Sequence, residues 1–368
     1  MTTRWIALLG RCDRPTDAVE DYCTYLGAAL EELGVQLALE RLGWDVSGWA
    51  GVLGELRQRA ERWRGQWVIV QYTALAWSAR GFPGRFLDVL KILGQGGARV
   101  AVAYHDVEPY EGRRVIDRIR RASQLRTMRR AMEAAQLGIL TVPAEKLSWM
   151  TGRLAAKSLF VPVGANLPLP SCTRGPAAPS ESGRTVAVFG VTGGGAGQRE
   201  VAETVAALSF AARHVRPLRL VVLGRETEKF ENAFRAGLAG SGVAVDVLGV
   251  RPGEEVVRIL ERADALLFSR SPISSRRSSA IAGIACGLPV IARKGSETAA
   301  PVTEAGVAFY TRGERDEPGA TLVRVLSDDV YRESLAAESR RAYERHFSWT
   351  AIARNYLRAL GKDPEPRF

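Results

Sequence analysis

The chain has 368 residues, 46% hydrophobic and 25% charged, and its net charge of +11 comes almost wholly from arginine. That length suits two or three domains with separate cores, and the composition excludes a fibrous or disordered chain. No apolar run approaches the roughly 18 residues of a membrane span, and the apolar segment in MTTRWIALLGRCD is too short for a secretory signal. Cys12, Cys23, Cys172 and Cys286 show no CxxC spacing, which argues against structural zinc and a disulfide framework and for a reducing cytoplasm. The charge favours an anionic partner: a nucleotide, a phospholipid surface or nucleic acid.

Trp5 to Leu9 reads as a first buried strand. Gly10 to Thr16 is a loop, and Asp17 is placed to cap a helix, with Glu20 at capping-box spacing. Val19, Tyr22, Cys23, Leu26, Ala29, Leu30 and Leu33 make its apolar stripe, and Gly34 ends it. Val35 to Leu39 is a second strand, Val52 to Trp63 a helix, and WVIVQY a third strand ending in Gln71 and Tyr72. A helix follows, then RVAVAY, with His105 and Asp106 directly after it. Regular alternation of strand and helix predicts a parallel sheet covered on both faces. An imidazole where a strand gives way to a loop can hydrogen-bond a hydroxyl and titrate near neutrality. A core or capping histidine would look the same.

From Arg113 to Arg130 there are eight arginines and one acid, Asp117. Val115, Ile119, Ala122, Leu125 and Met128 or Met132 recur at helical spacing. A basic amphipathic helix can rest on an anionic membrane, and an ordinary solvated helix face is the competing reading. The run lacks interleaved aromatics and no nucleic-acid motif appears, so nucleic acid is not expected as a partner. Leu159 to Val163 is a last strand of this half. Pro168, Pro170, Pro176 and Pro179 then mark a linker up to Gly183, with the domain boundary near residue 170.

The second half restarts the pattern with the strand TVAVF and the Gly-rich turn from Gly190 through Gly194 to Gly197, then a helix from Arg199. Such a turn lets phosphate approach backbone amides, but it is no P-loop, for it lacks Lys-Ser or Lys-Thr. Strands LRLVVLG and VAVDVLG follow, with Arg225 and Arg251 just past them. The stretch from Ala263 to Pro301 organises this half. Ala265 to Ser269 is a buried strand, and Ser278 or Ser279 can cap the small apolar helix that follows. Gly287 and Pro289 stop that helix, and Val290 to Ala292 is the next strand. Ser275, Arg276, Arg277 and Ser278 stand at the helix start, where unpaired N–H groups favour an anion. Lys294, Gly295, Ser296 and Glu297 lie past the adjacent strand, at the carboxyl edge where open α/β sheets bind ligands. The expectation is a diphosphate held by Arg276, Arg277, Lys294 and the turn amides. The plainer alternative is two solvated arginines.

This helix, the CGLPV stop and the following loop resemble the donor-binding half of family 4 glycosyltransferases, and the resemblance covers most of the chain. It implies an α/β GT-B fold: two Rossmann-like doubly wound parallel-sheet domains facing across a cleft. Residues 1–170 would bind acceptor and 171–345 the nucleotide-sugar donor, and 346–368 would carry a helix back to the first domain. It implies retaining transfer of a sugar to a glycan, lipid or small-molecule acceptor, in cell-surface polysaccharide or glycoconjugate synthesis. The protein would work in the cytoplasm or at the inner membrane face. His105 and Asp106 would lie near the donor sugar. Arg11, Asp13 and Asp17, with Gln71 and Tyr72, would lie on the acceptor side. Gly190, Gly194, Arg199, Arg225 and Arg251 would line the donor. No metal is expected, because there is no DxD-type acidic pair, and no cofactor beyond the nucleotide-sugar itself.

The sequence departs from that family at four charged contacts. Where an Arg and a Lys usually hold the donor stand Val191 and Ala196, and where two glutamates stand are Ser274 and Ala282. Either Arg276, Arg277, Arg199 and Lys294 replace the lost cations, with Glu297 supplying a carboxylate, or the protein is a GT-B-like scaffold without catalysis.

Overall fold

The computed structural model describes residues 3–14, 16–112, 114–168, 183–311 and 317–361. The chain forms two compact units, one from residues up to Pro162 and from Trp349 onward, the other Val163–Ser348. The proline-rich segment holding Cys172, Pro170, Pro176, Pro179 and the expected boundary near 170 lies outside the described residues, as does Arg113.

The first unit runs β1 (Thr3–Leu9), α1 (Ala18–Glu31), β2 (Val35–Arg41), α2 (Trp44–Arg62), β3 (Trp67–Tyr72), α3 (Phe86–Gln95), β4 (Arg99–Tyr104), α4 (Val115–Ala134), β5 (Leu137–Leu140), α5 (Gly152–Ala155) and β6 (Ser158–Phe160). Its parallel sheet has the order β2-β1-β3-β4-β5-β6. The continuous apolar run of β3 is buried along its whole length, as a strand covered on both faces requires. Asp17 caps α1 by accepting from the amides of Val19 and Glu20. The second helix starts earlier than its periodicity suggests, at Trp44, and bends at Gly48, whose φ is 72°. Two indoles account for the added turns: Trp44 Nε1 donates to Ala76 O at 2.8 Å, and Trp49 stacks on Trp44 with centroids 5.2 Å apart.

The second unit runs β7 (Arg184–Phe189), α6 (Gly194–Ala211), β8 (Leu218–Leu223), α7 (Glu231–Gly237), β9 (Val243–Gly249), α8 (Gly253–Arg262), β10 (Ala265–Phe268), α9 (Ser278–Ala285), β11 (Val290–Arg293), β12 (Val307–Tyr310), α10 (Glu317–Ser327) and α11 (Asp329–Ala342). Its sheet order, β12-β11-β10-β7-β8-β9, is that of a doubly wound nucleotide-binding domain. Gly287, at φ 68°, takes the left-handed position after α9 that the sequence assigns to it.

The last helix, α12 (Trp349–Leu360), packs on α1 of the first unit. Trp349, Ile352, Ala353, Tyr356 and Leu360 form its buried stripe. Tyr356 and Tyr22 join hydroxyls at 3.1 Å, and Trp67 Nε1 donates to Leu360 O at 2.7 Å.

The expected stripe of α4 packs only toward its C-terminal end, where Met128 and Met132 are buried and Leu125 lies against the core. Asp117, Gln124, Thr127, Met128, Ala131 and Met132 are buried, while Val115 and Ile119 face water. Backbone groups beside α4 explain the reversal: Gln124 donates to Gly81 O at 2.9 Å and accepts from Tyr110 N at 2.7 Å. Asp117 closes the capping box of the helix itself, accepting from Arg114 N at 3.0 Å. Among the described residues no helix is long and apolar enough to cross a membrane.

Candidate functional site

Winding reverses between β1 and β3 in the first unit and between β7 and β10 in the second. Just past the carboxyl ends of such strands the flanking loops part and leave room for a ligand.

In the first unit that place holds a cavity of about 320 Å³, lined by Gly10, Arg11, Asp13, Asp17, Arg41, Gln71, Thr73 and Asp106 among others. The structure thus brings together Arg11, Asp13, Asp17, Gln71 and Asp106 from loops far apart in sequence. Asp17 is already engaged: beyond its capping bonds, Oδ2 accepts from Arg41 Nη2 at 3.0 Å. Arg41 also binds Glu20 at 2.7 Å and Gly10 O at 2.9 Å, so Glu20 serves Arg41. Sequence reasoning missed Arg41, although a charged residue closing the strand β2 beside β1 was the available signal. Asp106 Oδ2 accepts from Ala74 N at 2.8 Å and so fixes the loop after β3. Tyr72 is a correction: it is fully buried against Phe86 and Tyr104, because its side chain takes the core side of the strand's alternation.

His105 is half-buried, edge-on to Tyr22 at 4.9 Å, with Nε2 2.8 Å from Gln71 Oε1. Gln71 donates its amide nitrogen to Ile69 O at 3.2 Å, so its oxygen is the acceptor and His105 Nε2 carries the proton. Burial holds the imidazole down at about 4, against the opposing charge of Asp17. The ring is neutral at physiological pH, with Nδ1 left as an acceptor.

In the second unit the Gly-rich turn is largely helix. Gly194 to Gly197 form the first turn of α6, with Gly193 as cap and no side-chain capping bond. Arg199 is exposed one turn on. Gly190, at φ 87°, lies so close to Arg270 that a Cβ there would stand 3.0 Å from Nη1. Arg270, two residues past β10, was also missed. Its signal was a cation in the loop that follows a buried apolar strand. Arg225 is half-buried after β8, and Arg251 pairs with Glu255 at 3.3 Å on α8.

The loops before α9 and after β11 do meet, though not as an open cation cluster. Arg276 makes a two-point pair with Glu297, Nε to Oε2 at 2.7 Å and Nη2 to Oε1 at 2.9 Å, and Ser274 Oγ donates to Oε2 at 3.0 Å. Burial pushes Glu297 up, but the bonds and charge of Arg276, the charge of Arg277 and the Ser274 bond outweigh it and hold the carboxyl below its ordinary range. Thr298 Oγ1 accepts from Gly295 N at 2.9 Å and donates to Ile273 O at 2.6 Å, so the Gly295 amide is occupied. Lys294 Nζ rests 4.6 Å from the centre of the Phe309 ring, and Ser296 is exposed. Arg277, not Ser278 or Ser279, is the cap residue of α9, without a side-chain capping bond, and Ser275 is buried. Ala282 is sealed in the core.

Among the described residues, Cys12, Asp17 and Glu20 bring potential metal-ligand atoms within 4.8 Å of one another. Arg41 already holds both carboxylates.

No protein-family model and no curated protein matches the sequence. Solved structures do match along nearly the whole chain. Anabaena HepE in complex with UDP superposes with a TM-score of 0.67 at 15% identity, over 97% of this chain and 99% of that one. Sucrose-phosphate synthase from Thermosynechococcus elongatus gives 0.66 at 15%, over 97% and 98%. The S. aureus MnaA–UDP structure gives 0.60 at 9%, over 99% of each. The fold is therefore GT-B, with two Rossmann-like domains.

Proposed function

We propose that the protein transfers a glycosyl group from a nucleotide-sugar, with the donor on the second unit and a glycan, lipid-linked or small-molecule acceptor on the first. The observation that carries this reading lies at the β7–β10 reversal: Gly190, just past β7, sits against the Arg270 guanidinium, and α6 starts a few residues on without a side-chain cap. Two of the similar structures hold UDP, which supports a nucleoside diphosphate on this fold. The departing diphosphate would be stabilised by helix amides and guanidinium, in the role a metal fills elsewhere. Glu297, brought beside Ser274, supplies the carboxylate that the sequence lacks there. Neutral His105 would accept a hydroxyl at Nδ1. Retention of configuration and a place in surface glycan or glycoconjugate synthesis complete the reading.

One observation favours a non-catalytic binding protein instead: Arg276, the expected diphosphate ligand, is neutralised by Glu297. Melting with a panel of nucleoside diphosphates separates the two. One nucleotide should raise the second unit's midpoint by preferential binding to the folded state, and Arg270→Ala should abolish the rise. The matching nucleotide-sugar should then release its diphosphate on adding acceptor. No shift with any nucleotide at millimolar concentration overturns the donor reading.

A further inference from the structure

The two sheets have four edges among the described residues, and three of them are guarded. β12 is almost wholly buried, β6 is three residues long, and β2 carries Gln36, Glu40 and Arg41. Such devices keep an edge from pairing with another chain. The fourth edge, β9, has none of them. It is the outermost strand of the second unit's sheet, and residues 243–248 are all half-buried or exposed. Its sequence, VAVDVLG, holds no lysine and no proline. Its one charged side chain, Asp246, is neutralised by Arg219 of β8, whose Nε donates to Oδ2 at 2.5 Å. The Val243 amide turns back to Ser241 Oγ at 3.3 Å, and Glu228 stands against Gly249, so the open run is bounded at both ends.

This run reads nearly the same from either end. Val243, Val245 and Val247 pack on the core of the unit, and Ala244 and Asp246 lie on the opposite face. Consider a second copy of this chain laid antiparallel, with Val245 opposite Val245. Val243 then stands opposite Val247, and the valines continue the core face across the junction. On the other face Asp246 of the second copy meets the small, exposed Ala244 and not another acid. Arg219 is in register with Ala244 and is exposed on that same face. Two strand spacings, about 10 Å, separate its backbone from Asp246 of the second copy, a gap the two side chains together span. A register two residues further on would instead oppose Asp246 to Asp246, which like charge disfavours.

We propose that β9 pairs with β9 of a second copy about a two-fold axis through Val245, joining two second-unit sheets into one. Two-fold pairing consumes both edges and closes the assembly. Charge complementarity between Arg219 and Asp246, with the self-matching order of the valines, selects a second copy as the occupant. A single strand pair is a small interface, so association should fall in the micromolar range. The inference is independent of the glycosyl-transfer reading.

Sedimentation equilibrium of the full chain from about 1 to about 200 µM tests it: the chain should pass from monomer to dimer and no further. Hydrogen exchange of residues 243–249 should slow as the dimer fills. Ala244→Glu sets an acid against Asp246 at both symmetric contacts and should weaken the dimer about 5- to 30-fold, whereas Ala244→Lys should tighten it. Ala244 is exposed, and unchanged melting by circular dichroism at about 1 µM, where the chain is monomeric, confirms that both variants fold. A monomer throughout, a dimer without added protection at 243–249, or growth past the dimer overturns the proposal. So does an Ala244→Glu dimer as tight as the parent's, or equal weakening by both substitutions.

Discussion

Mild acid should weaken the first unit, and His105 should account for a defined share of the loss. Its imidazole titrates at about 4 in the folded chain against an ordinary value of 6.5. Between those values the unfolded chain binds the proton and the folded chain does not, so stability falls as pH falls. Above 6.5 the group contributes nothing, and below 4 the penalty is complete. At pH 5 the linkage expression gives about 2 kcal/mol, and partial exposure of the ring lowers the expectation to about 1–2 kcal/mol. The protein offers a clean probe, because Trp5, Trp44, Trp49, Trp63, Trp67, Trp77, Trp149 and Trp349 all belong to the first unit. Urea unfolding followed by tryptophan fluorescence at pH 7 and pH 5 therefore reads that unit alone. His105→Gln should lose less stability over this interval than the parent chain, by the same about 1–2 kcal/mol. Equal losses in the two proteins would refute both the shifted titration and the assignment of a neutral imidazole to the site.

Three further expectations follow from packing. Glu297→Gln leaves a mostly covered Arg276 without its two-point partner, which should cost about 2 kcal/mol and lower the second unit's calorimetric midpoint by about 4–8 °C. Because the Glu297 carboxyl titrates below its ordinary 4.5, its contribution is present above that pH and lost as pH falls through the folded value, so the variant should lack that acid-dependent loss. Tyr356→Phe strands the buried Tyr22 hydroxyl and should cost about 1–3 kcal/mol by urea titration, most of it recovered when Tyr22→Phe is added. Gly295→Ala would drive its Cβ into the Pro272 ring. The resulting overpacking should lower second-unit stability by about 1–3 kcal/mol in the same calorimetric assay.

Strand and helix alternation was legible because parallel strands buried on both faces are written as unbroken apolar runs, as in β3 and β10. The turn chemistry at Asp17 and Gly287 was legible for an equally local reason. Side-chain destinations were not, because they depend on partners supplied by other loops. Arg276 looked like a free cation until Glu297, 21 residues on, arrived beside it. Gly295 looked like an open amide until Thr298 turned back onto it. Tyr72 followed the inward phase of its strand, which alternation cannot assign when every residue of the strand is covered. The rotation of α4 was hidden for another reason. Helical periodicity locates an apolar stripe but does not reveal that backbone carbonyl and amide groups nearby will hold the polar stripe inward.

The two winding reversals have opposite chemical bias, and this orders the functional reading. The hollow past β1 and β3 carries Asp13, Asp17 and Asp106 against Arg11 and Arg41, and Arg41 is spent on Asp17 and Glu20. A diphosphate entering there would meet carboxylates at short range, whereas sugar hydroxyls can donate to them. The edge past β7 and β10 instead offers the uncapped start of α6 and the Arg270 guanidinium, while its acids are engaged: Glu200 by the Thr192 amide at 2.7 Å, and Glu226, beside Gly193, by Lys229 at 2.6 Å. An anion is favoured there and a neutral polyol gains little. On the proposed reading, the donor's diphosphate belongs on the second unit and the acceptor's hydroxyls on the first. Reversing Arg270 to glutamate should abolish nucleotide binding without disturbing the urea unfolding of the tryptophan-bearing unit. Nucleotide binding that survived this reversal would move the donor away from the α6 start.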